Sequence, residues 1–310
     1  MISTDEFAGI FDIPKDDILK TFEKEALIKM PGGRRGIPPQ LLRAYLGEKG
    51  VDYSFRVIAY INLKGGTGKT TSTISTAARA AQYGFKTCVL DMDSQANATL
   101  AFDRMPDDDD PIFSDIWQNP AEMVTGSLRR IDDHLSILPS SLENSLLDIN
   151  LINPGSQKNA VRGVCDVIGT NGFDLVMVDC PPSLGTAVIS TICAADILVI
   201  PVCSDPFSIK GLEFTLREVD SICDTFHLEK PKVFVLMTKF DKRLTISTNA
   251  AKQISETLPD NLIPFPIRTS SAYSNMLEKR QTVFSQAGKS RAKHDYDRYV
   301  RYLLELDKHL

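Results

Sequence analysis

Eight consecutive residues, Lys64-Gly65-Gly66-Thr67-Gly68-Lys69-Thr70-Thr71, have the types and spacing of an anion-binding loop. Glycines let the backbone curl until successive N–H groups face one anion. A helix that starts where the glycines end adds its N-terminal partial positive charge. Lys69 supplies a point charge for β- and γ-phosphates, and the Thr70 hydroxyl suits a Mg²⁺ ligand. The chemistry is phosphoryl transfer to water. It needs charge neutralisation and a positioned nucleophile more than covalent help.

The surrounding elements must place that loop. Val57–Ile61 reads as a strand running into it, and Thr70–Tyr83 as the helix after it. Further apolar runs follow at Thr87–Leu90, Leu135–Leu138, Leu175–Val178, Ile197–Val202, Val233–Met237 and Leu262–Phe265, with helical stretches between most of them. Short strands apolar on both sides, alternating with helices, predict an α/β fold. It is a doubly wound, mostly parallel sheet with helices on both faces, as in P-loop NTPases. Asp179 ends one apolar strand, so its carboxylate emerges at the phosphate end and can hold Mg²⁺ through water. Asp93 follows the second strand and can orient an attacking water. Asp91 reads as a strand-end carboxylate that supports the loop by hydrogen bonds. Thr238 and Asp241 close a Thr-Lys-Phe-Asp stretch similar to an N-K-x-D base reader.

The chain has 310 residues, of which 43% are hydrophobic and 24% charged. That is near the globular average and excludes a fibrous or wholly disordered chain. No apolar run approaches the ~18 residues of a membrane span. The first residues lack the basic-then-apolar layout of a signal peptide, so the expected compartment is the cytoplasm. Six cysteines without a C-x-x-C pair read as reduced core residues. The net charge of −5 is unevenly spread: residues 1–56 sum to zero, 57–267 to −9 and 268–310 to +4.

The loop lacks the usual first glycine, where Leu63 stands, and carries an additional Lys64. This K-G-G-x-G-K-T-T form resembles the deviant Walker A motif of the ParA/MinD family of ATPases. Asp91-Met92-Asp93-Ser94-Gln95-Ala96-Asn97 looks like that family's D-x-D-P-Q-x-N switch segment, with Ser94 where proline is usual. Phe173–Pro182 looks like its Walker B strand and turn, and Ile200-Pro201-Val202 with Gly211-Leu212 like its I-P-V…G-L segment. The resemblance implies ATP and Mg²⁺ as cofactors. It implies nucleotide contacts from Lys64, Gly65, Gly66, Thr67, Gly68, Lys69, Thr70 and Thr71, and metal near Thr70, Asp93 and Asp179. It gives catalytic roles to Lys64, Lys69 and Asp93, and puts the Thr238–Asp241 stretch beside adenine. Lys64 is the signature lysine that reaches a partner subunit's phosphates, so ATP joins a homodimer.

The family includes DNA-segregating and membrane-bound members. From Ser290 onward the chain reads as a helix through Leu310. Arg291, His294, Arg298 and Arg301 share one face, opposite Tyr296, Tyr299, Val300, Leu303, Leu306 and Leu310. Three readings of it are a docked helix, a DNA-contacting face and an interfacial membrane helix, the last weakened by its acids and tyrosines. Arg268, Lys289, Arg291, Arg298 and Arg301 are the candidate contacts to non-specific double-stranded DNA. Residues 1–52 read as a helical extension before an ATPase domain at 53–310. The extension holds a helix at Asp5–Phe11, one from Pro14 through Leu27, and a third after Pro38-Pro39. A tight basic turn at Gly32–Gly36 makes a helix-turn-helix one option. The expected function is a cytoplasmic, nucleoid-associated partition ATPase, weak alone and stimulated by a ParB-type partner. The alternatives are a membrane-associated MinD-like ATPase and a nucleotide-gated transcriptional repressor.

Overall fold

A computed structural model describes residues 1–273, 276, 279–285, 288 and 290–309. Three short strands, β1 (Ile2–Ser3), β2 (Ile28–Lys29) and β3 (Arg35–Ile37), form a small sheet in the order β1-β3-β2. Among them lie helices α1 (Thr4–Phe11), α2 (Lys15–Thr21) and α3 (Pro39–Glu48). The main sheet has seven strands: β4 (Arg56–Tyr60), β5 (Thr87–Asp91), β6 (Arg129–Asp132), β7 (Leu135–Leu138), β8 (Leu175–Asp179), β9 (Ile197–Val202) and β10 (Lys232–Met237). Their order is β10-β9-β4-β8-β5-β7-β6, parallel except for β6. The helices are α4 (Lys69–Gln82), α5 (Asn97–Ala101), α6 (Phe113–Ile116), α7 (Pro120–Ser127), α8 (Leu147–Asn150), α9 (Pro154–Thr170), α10 (Thr186–Ala194), α11 (Pro206–Phe226), α12 (Thr245–Thr257) and α13 (Arg291–Leu303).

The doubly wound sheet matches the expectation. Side chains alternate between two buried clusters. Ile58, Tyr60, Val89, Met177 and Val199 face one side, where α4 and α13 pack. Val57, Ala59, Leu90, Val178 and Ile200 face the other, with residues of α9, α10 and α11. That period of two explains why the strands read as continuous apolar runs.

Three local expectations change. The basic turn at Gly32–Gly36 joins strands β2 and β3, with no helix-turn-helix. Gly32 and Gly33 take positive φ (77° and 73°), which a hairpin turn can use. Helix α2 ends at Thr21 because Ile18, Phe22 and Leu27 all enter one core. In an unbroken helix Leu27 would point away from Ile18. Leu262–Phe265 makes one parallel bridge, Val235 to Leu262, and no strand. Pro264 and Pro266 have no N–H to give a ladder. In the main sheet the unforeseen strand is β6, whose Arg129, Arg130 and Asp132 carry no apolar signal; it protects the sheet edge with charge.

Helix α4 is the hub. Ser72 pairs with the Tyr296 hydroxyl at 3.0 Å, and Tyr60 donates to Thr76 (2.7 Å) and meets Tyr299 (3.0 Å). These tyrosines seat α13 on α4, and its Tyr296, Tyr299, Val300 and Leu303 are buried. The tail helix thus has its apolar side inside the protein. At the far end of α4, the buried Arg79 bridges Asp297 of α13 (2.5 Å) and Glu6 of α1 (2.7 Å), while Tyr83 donates to the same Asp297 (2.7 Å).

Removing one partner strands a buried charge, which costs about 3–5 kcal/mol. Arg79→Leu is therefore expected to destabilise the fold by that amount in urea titration. Burial alone would raise the Asp297 carboxyl. Arg79, Tyr83 and Arg301 outweigh it and hold its pKa below the ordinary value. Its contribution is complete above the unfolded carboxylate pKa and fades as pH falls through the lower folded value. The Arg79→Leu deficit should shrink with it.

Candidate functional site

The phosphate-type loop leaves β4 at Tyr60 and enters α4 at Lys69. Gly66 (φ 72°) and Gly68 (φ 93°) adopt the left-handed conformation that turns the loop into the helix. Asn62 pins its start: the side chain donates to the Pro201 carbonyl (2.7 Å) and accepts from Lys64 N–H (2.8 Å). Thr238 pins its middle, its hydroxyl donating to the Thr67 carbonyl at 2.7 Å. Lys69 is buried and curls over the loop, donating to the carbonyls of Asn62 (3.1 Å) and Lys64 (3.4 Å). Burial lowers its pKa, and Asp179, Cys180 and Asp93 oppose that fall.

Three carboxylates end the central strands around Lys69. Asp91 is fully buried and accepts from Thr99 N–H (2.9 Å), the Thr99 hydroxyl (2.7 Å) and Asp93 N–H (3.2 Å). It organises the turn after β5, as the sequence suggested. Burial still pushes its pKa up to about 7. Asp93 accepts from Gln95 N–H (3.0 Å), and its own carbonyl accepts from Ser140 (2.8 Å). Asp179 closes β8 and is fully buried. One of its oxygens accepts from Thr73 (3.2 Å); the other has no hydrogen-bond partner among the described residues. Burial and the nearby Asp91 push its pKa up to about 8, while Thr70 and Lys69 pull it back. An orphaned carboxylate oxygen beside a threonine hydroxyl is suited to a hard divalent cation. Such a cation, if Mg²⁺, takes one or two carboxylates and fills its shell with water and phosphate. No group of three or more His, Cys, Asp and Glu side chains forms a cage among the described residues.

Lys64 points away from the loop. Its ammonium binds Asp205 at 2.6 Å and Ser208 at 3.2 Å. Asp205 also caps α11, accepting from Ser208 N–H at 3.1 Å. Partial burial would raise the Asp205 carboxyl, but hydrogen bonds from Lys64 and Ser208 hold it at about 2.

A family model described as an AAA domain matches residues 55–233, more than half of the chain. The chain belongs to that family. The chromosome partitioning protein ParA of Caulobacter vibrioides is 26% identical over 224 residues, 71% of this chain and 84% of that protein. An ATP complex of a McdA variant from Cyanothece superposes with TM-score 0.73 at 20% identity, over 81% of this chain and 96% of that one. A cobyrinic acid a,c-diamide synthase from Mycobacterium smegmatis, with an ATP analogue and magnesium bound, gives 0.69 at 23% identity over 82% and 96%. These two structures share the fold of this chain.

The remaining residues singled out in the sequence divide. Lys69, Asp93, Asp179, Thr70 and the glycines converge. Thr238 lies beneath the loop, its hydroxyl donating to the Thr67 carbonyl, where it supports the loop backbone. Asp241 is paired with Arg243 at 2.6 Å. Among the basic candidates, Arg268 is bound to the buried Asp295, Arg301 to Asp297 and Asp307, and Arg298 stacks 4.1 Å from the Phe265 ring centre. Arg291 is exposed, and Lys289 lies outside the described residues. Within the face drawn as basic, Arg301 is thus neutralised by Asp297 and Asp307 and His294 lies beside Asp295, while Arg291 and Arg298 stay exposed. Asn62 and Thr73 went unnoticed in the sequence, although each sits one short step from the loop.

Thr238→Val keeps the shape and deletes the bond to Thr67. Losing one buried hydrogen bond of ~1 kcal/mol should weaken nucleotide affinity about fivefold. Titration with a fluorescent nucleotide checks this, with thermal unfolding as the control.

Proposed function

We propose that this chain is a Mg²⁺-dependent partition-type ATPase that works as a nucleotide-driven dimer switch. The observation that carries the reading is the unpartnered Asp179 oxygen beside Thr70, at the mouth of a glycine loop that holds Lys69. Loop amides, Lys69 and the α4 N-terminus bind the phosphates of ATP. Asp179 and Thr70 hold Mg²⁺, which neutralises charge on the β- and γ-phosphates, with Asp93 close by. Asp93 orients the attacking water. Lys64 leaves Asp205 and reaches the phosphates of a second subunit, so ATP favours the dimer. The dimer binds DNA without sequence preference, and a ParB-type partner speeds hydrolysis and release. The named relative ParA supports the partition role, and the ATP and magnesium complexes of the fold relatives support the cofactors.

For DNA, the tail arginines are poor contacts because most have internal partners. The β2–β3 hairpin is a better one. Lys29 and Arg35 face each other across it, with no carboxylate in ion-pair distance among the described residues. Like charges directly opposite destabilise a strand pair unless an anion lies between or near them. Arg34, in the turn between the two strands, completes the set. The hairpin gives no helix for a major groove, so the repressor reading loses its helix-turn-helix. The membrane reading loses the free apolar face of α13.

Lys69→Ala is expected to abolish nucleotide binding. Asp93→Ala should bind ATP and double in mass by light scattering, while hydrolysis falls roughly a hundredfold or more. Lys29→Glu with Arg35→Glu should release DNA from that ATP-bound variant, whereas Arg301→Ala should act on stability alone. A parent that stays monomeric with ATP would sink the switch.

The Lys64–Asp205 contact opposes this dimer because it occupies the lysine at home. Asp205→Asn keeps the helix cap and removes the counter-charge. A half-exposed pair is worth about 0–1 kcal/mol. Each dimer frees two such pairs, so ATP-dependent dimerisation should tighten up to about thirtyfold, read as the mass midpoint against protein concentration.

A further inference from the structure

Residues 142–152 carry apolar side chains on two sides. Leu147 and Leu151 are buried. Leu142, Leu146, Ile149 and Ile152 stand outward with 72%, 49%, 65% and 70% of their surface exposed. Their spacing of four, three and three puts them on one side of the turn that leads through α8. Four large aliphatic residues in a single outward row are more than the scattered apolar surface a monomer normally shows.

Both ends of this ridge are fastened to the nucleotide site. Ser140, at its start, donates to the Asp93 carbonyl (2.8 Å), and its N–H donates to Thr99 (2.9 Å). Asn144 donates to Ser140 at 2.7 Å. Asp148 accepts from Thr186 N–H (2.7 Å) and its hydroxyl (2.9 Å), at the start of α10 and the end of the turn that follows Asp179. A Cβ at Gly185 would clash with the Asp148 carboxylate, so the two segments fit closely. The ridge therefore lies at the strand ends that carry the phosphate loop, on the rim of the same face.

Charge selects the occupant. From His134 to Gln157 only Glu143 and Asp148 are charged, and Asp148 is committed to Thr186. A charge-depleted aliphatic strip matches the core of a protein interface and not a nucleic-acid or anionic-lipid contact. Area selects it further. A stable dimer buries about 1,600 Å² in total. Two glycine loops facing each other across nucleotides present backbone and charge, and little apolar surface. A twofold contact uses each residue twice, once on either subunit.

We infer that Leu142, Leu146, Ile149 and Ile152 are the apolar interface with a second copy of this chain, placed beside the shared nucleotides. The inference rests on the dimer-switch reading. Its consequence is that dimer strength and site geometry are linked, since the same segment holds Asp93 and Thr186.

The test uses the full chain carrying Asp93→Ala, with Leu142→Ser plus Ile152→Ser as one variant and Leu146→Ser plus Ile149→Ser as another. Light scattering is run across protein concentration with ATP and with ADP. ADP affinity and thermal unfolding check that the loop and fold are intact. The expected result is a parent that doubles in mass with ATP and variants whose dimer midpoint rises at least tenfold, with ADP affinity within twofold of the parent. If the parent dimerises and both variants follow it unchanged, the ridge is not the interface while the switch stands. A parent that remains monomeric overturns both. Variants that dimerise normally but lose DNA retention assign the ridge to another partner, and overturn the inference as well.

Discussion

One constraint shapes the functional end of the molecule: three carboxylates crowd the strand ends, and a single buried ammonium, that of Lys69, answers two of them, Asp179 and Asp93. Asp91, Asp93 and Asp179 end or follow adjacent strands, because a parallel sheet delivers its C-terminal ends to one edge. In a low-dielectric site, neighbouring carboxylates resist ionising together. The protein meets this unequally. Asp91 receives three hydrogen bonds and Asp93 one from a backbone N–H, while one Asp179 oxygen has no hydrogen-bond partner among the described residues. That deficit of positive charge is what a divalent cation and its nucleotide would correct together. The empty valence belongs to the sheet edge itself and not to a loop that could rearrange to fill it.

The constraint also explains why α4 is so firmly held. A helix whose N-terminus binds an anion transmits any load along its axis. The tyrosine hydroxyls of α13 meet its middle, and Arg79 locks its far end to α1 and α13. The N-terminal segment takes part in the same core: Phe7, Ile18, Ile37 and Leu42 belong to the buried cluster that contains Tyr60 and Tyr299. Arg43 adds a second tie, a two-pronged contact to Asp174 at the opposite end of the sheet from the phosphate loop. An element that looked like an appended arm thus braces the nucleotide helix from behind.

What could be read from residue order follows from range. The glycine–lysine loop, the strand alternation and the buried side of α13 each depend on neighbours within one or two turns, so their patterns are visible in the chain. Thr238 is different. It sits 171 residues from the Thr67 carbonyl it binds, and only the adjacency of β10, β9 and β4 brings them together. The hairpin at β2–β3 hid for another reason: glycines mark a break without saying what they separate. The tail arginines misled because a helical face was counted by its cations. Asp295 and Asp297 lie on the same helix, close enough to neutralise residues on either side, and Arg268 reaches Asp295 from outside.

On the proposed dimer-switch reading, the position of Lys64 gives the switch a direction. Two arrangements would then compete for one ammonium: the internal carboxylate of Asp205 at the head of α11, or phosphate oxygens on another molecule. The internal contact is half exposed and worth little. It therefore cannot hold the subunits apart against a triphosphate, but it can outcompete weaker attractions when the terminal phosphate is gone. Because Asp205 also caps α11, releasing Lys64 leaves the carboxylate with a role, so the helix does not fray when the lysine moves. The exchange costs the monomer little structure. A shallow internal trap of this kind makes association conditional on the charge of the ligand and not merely on its presence.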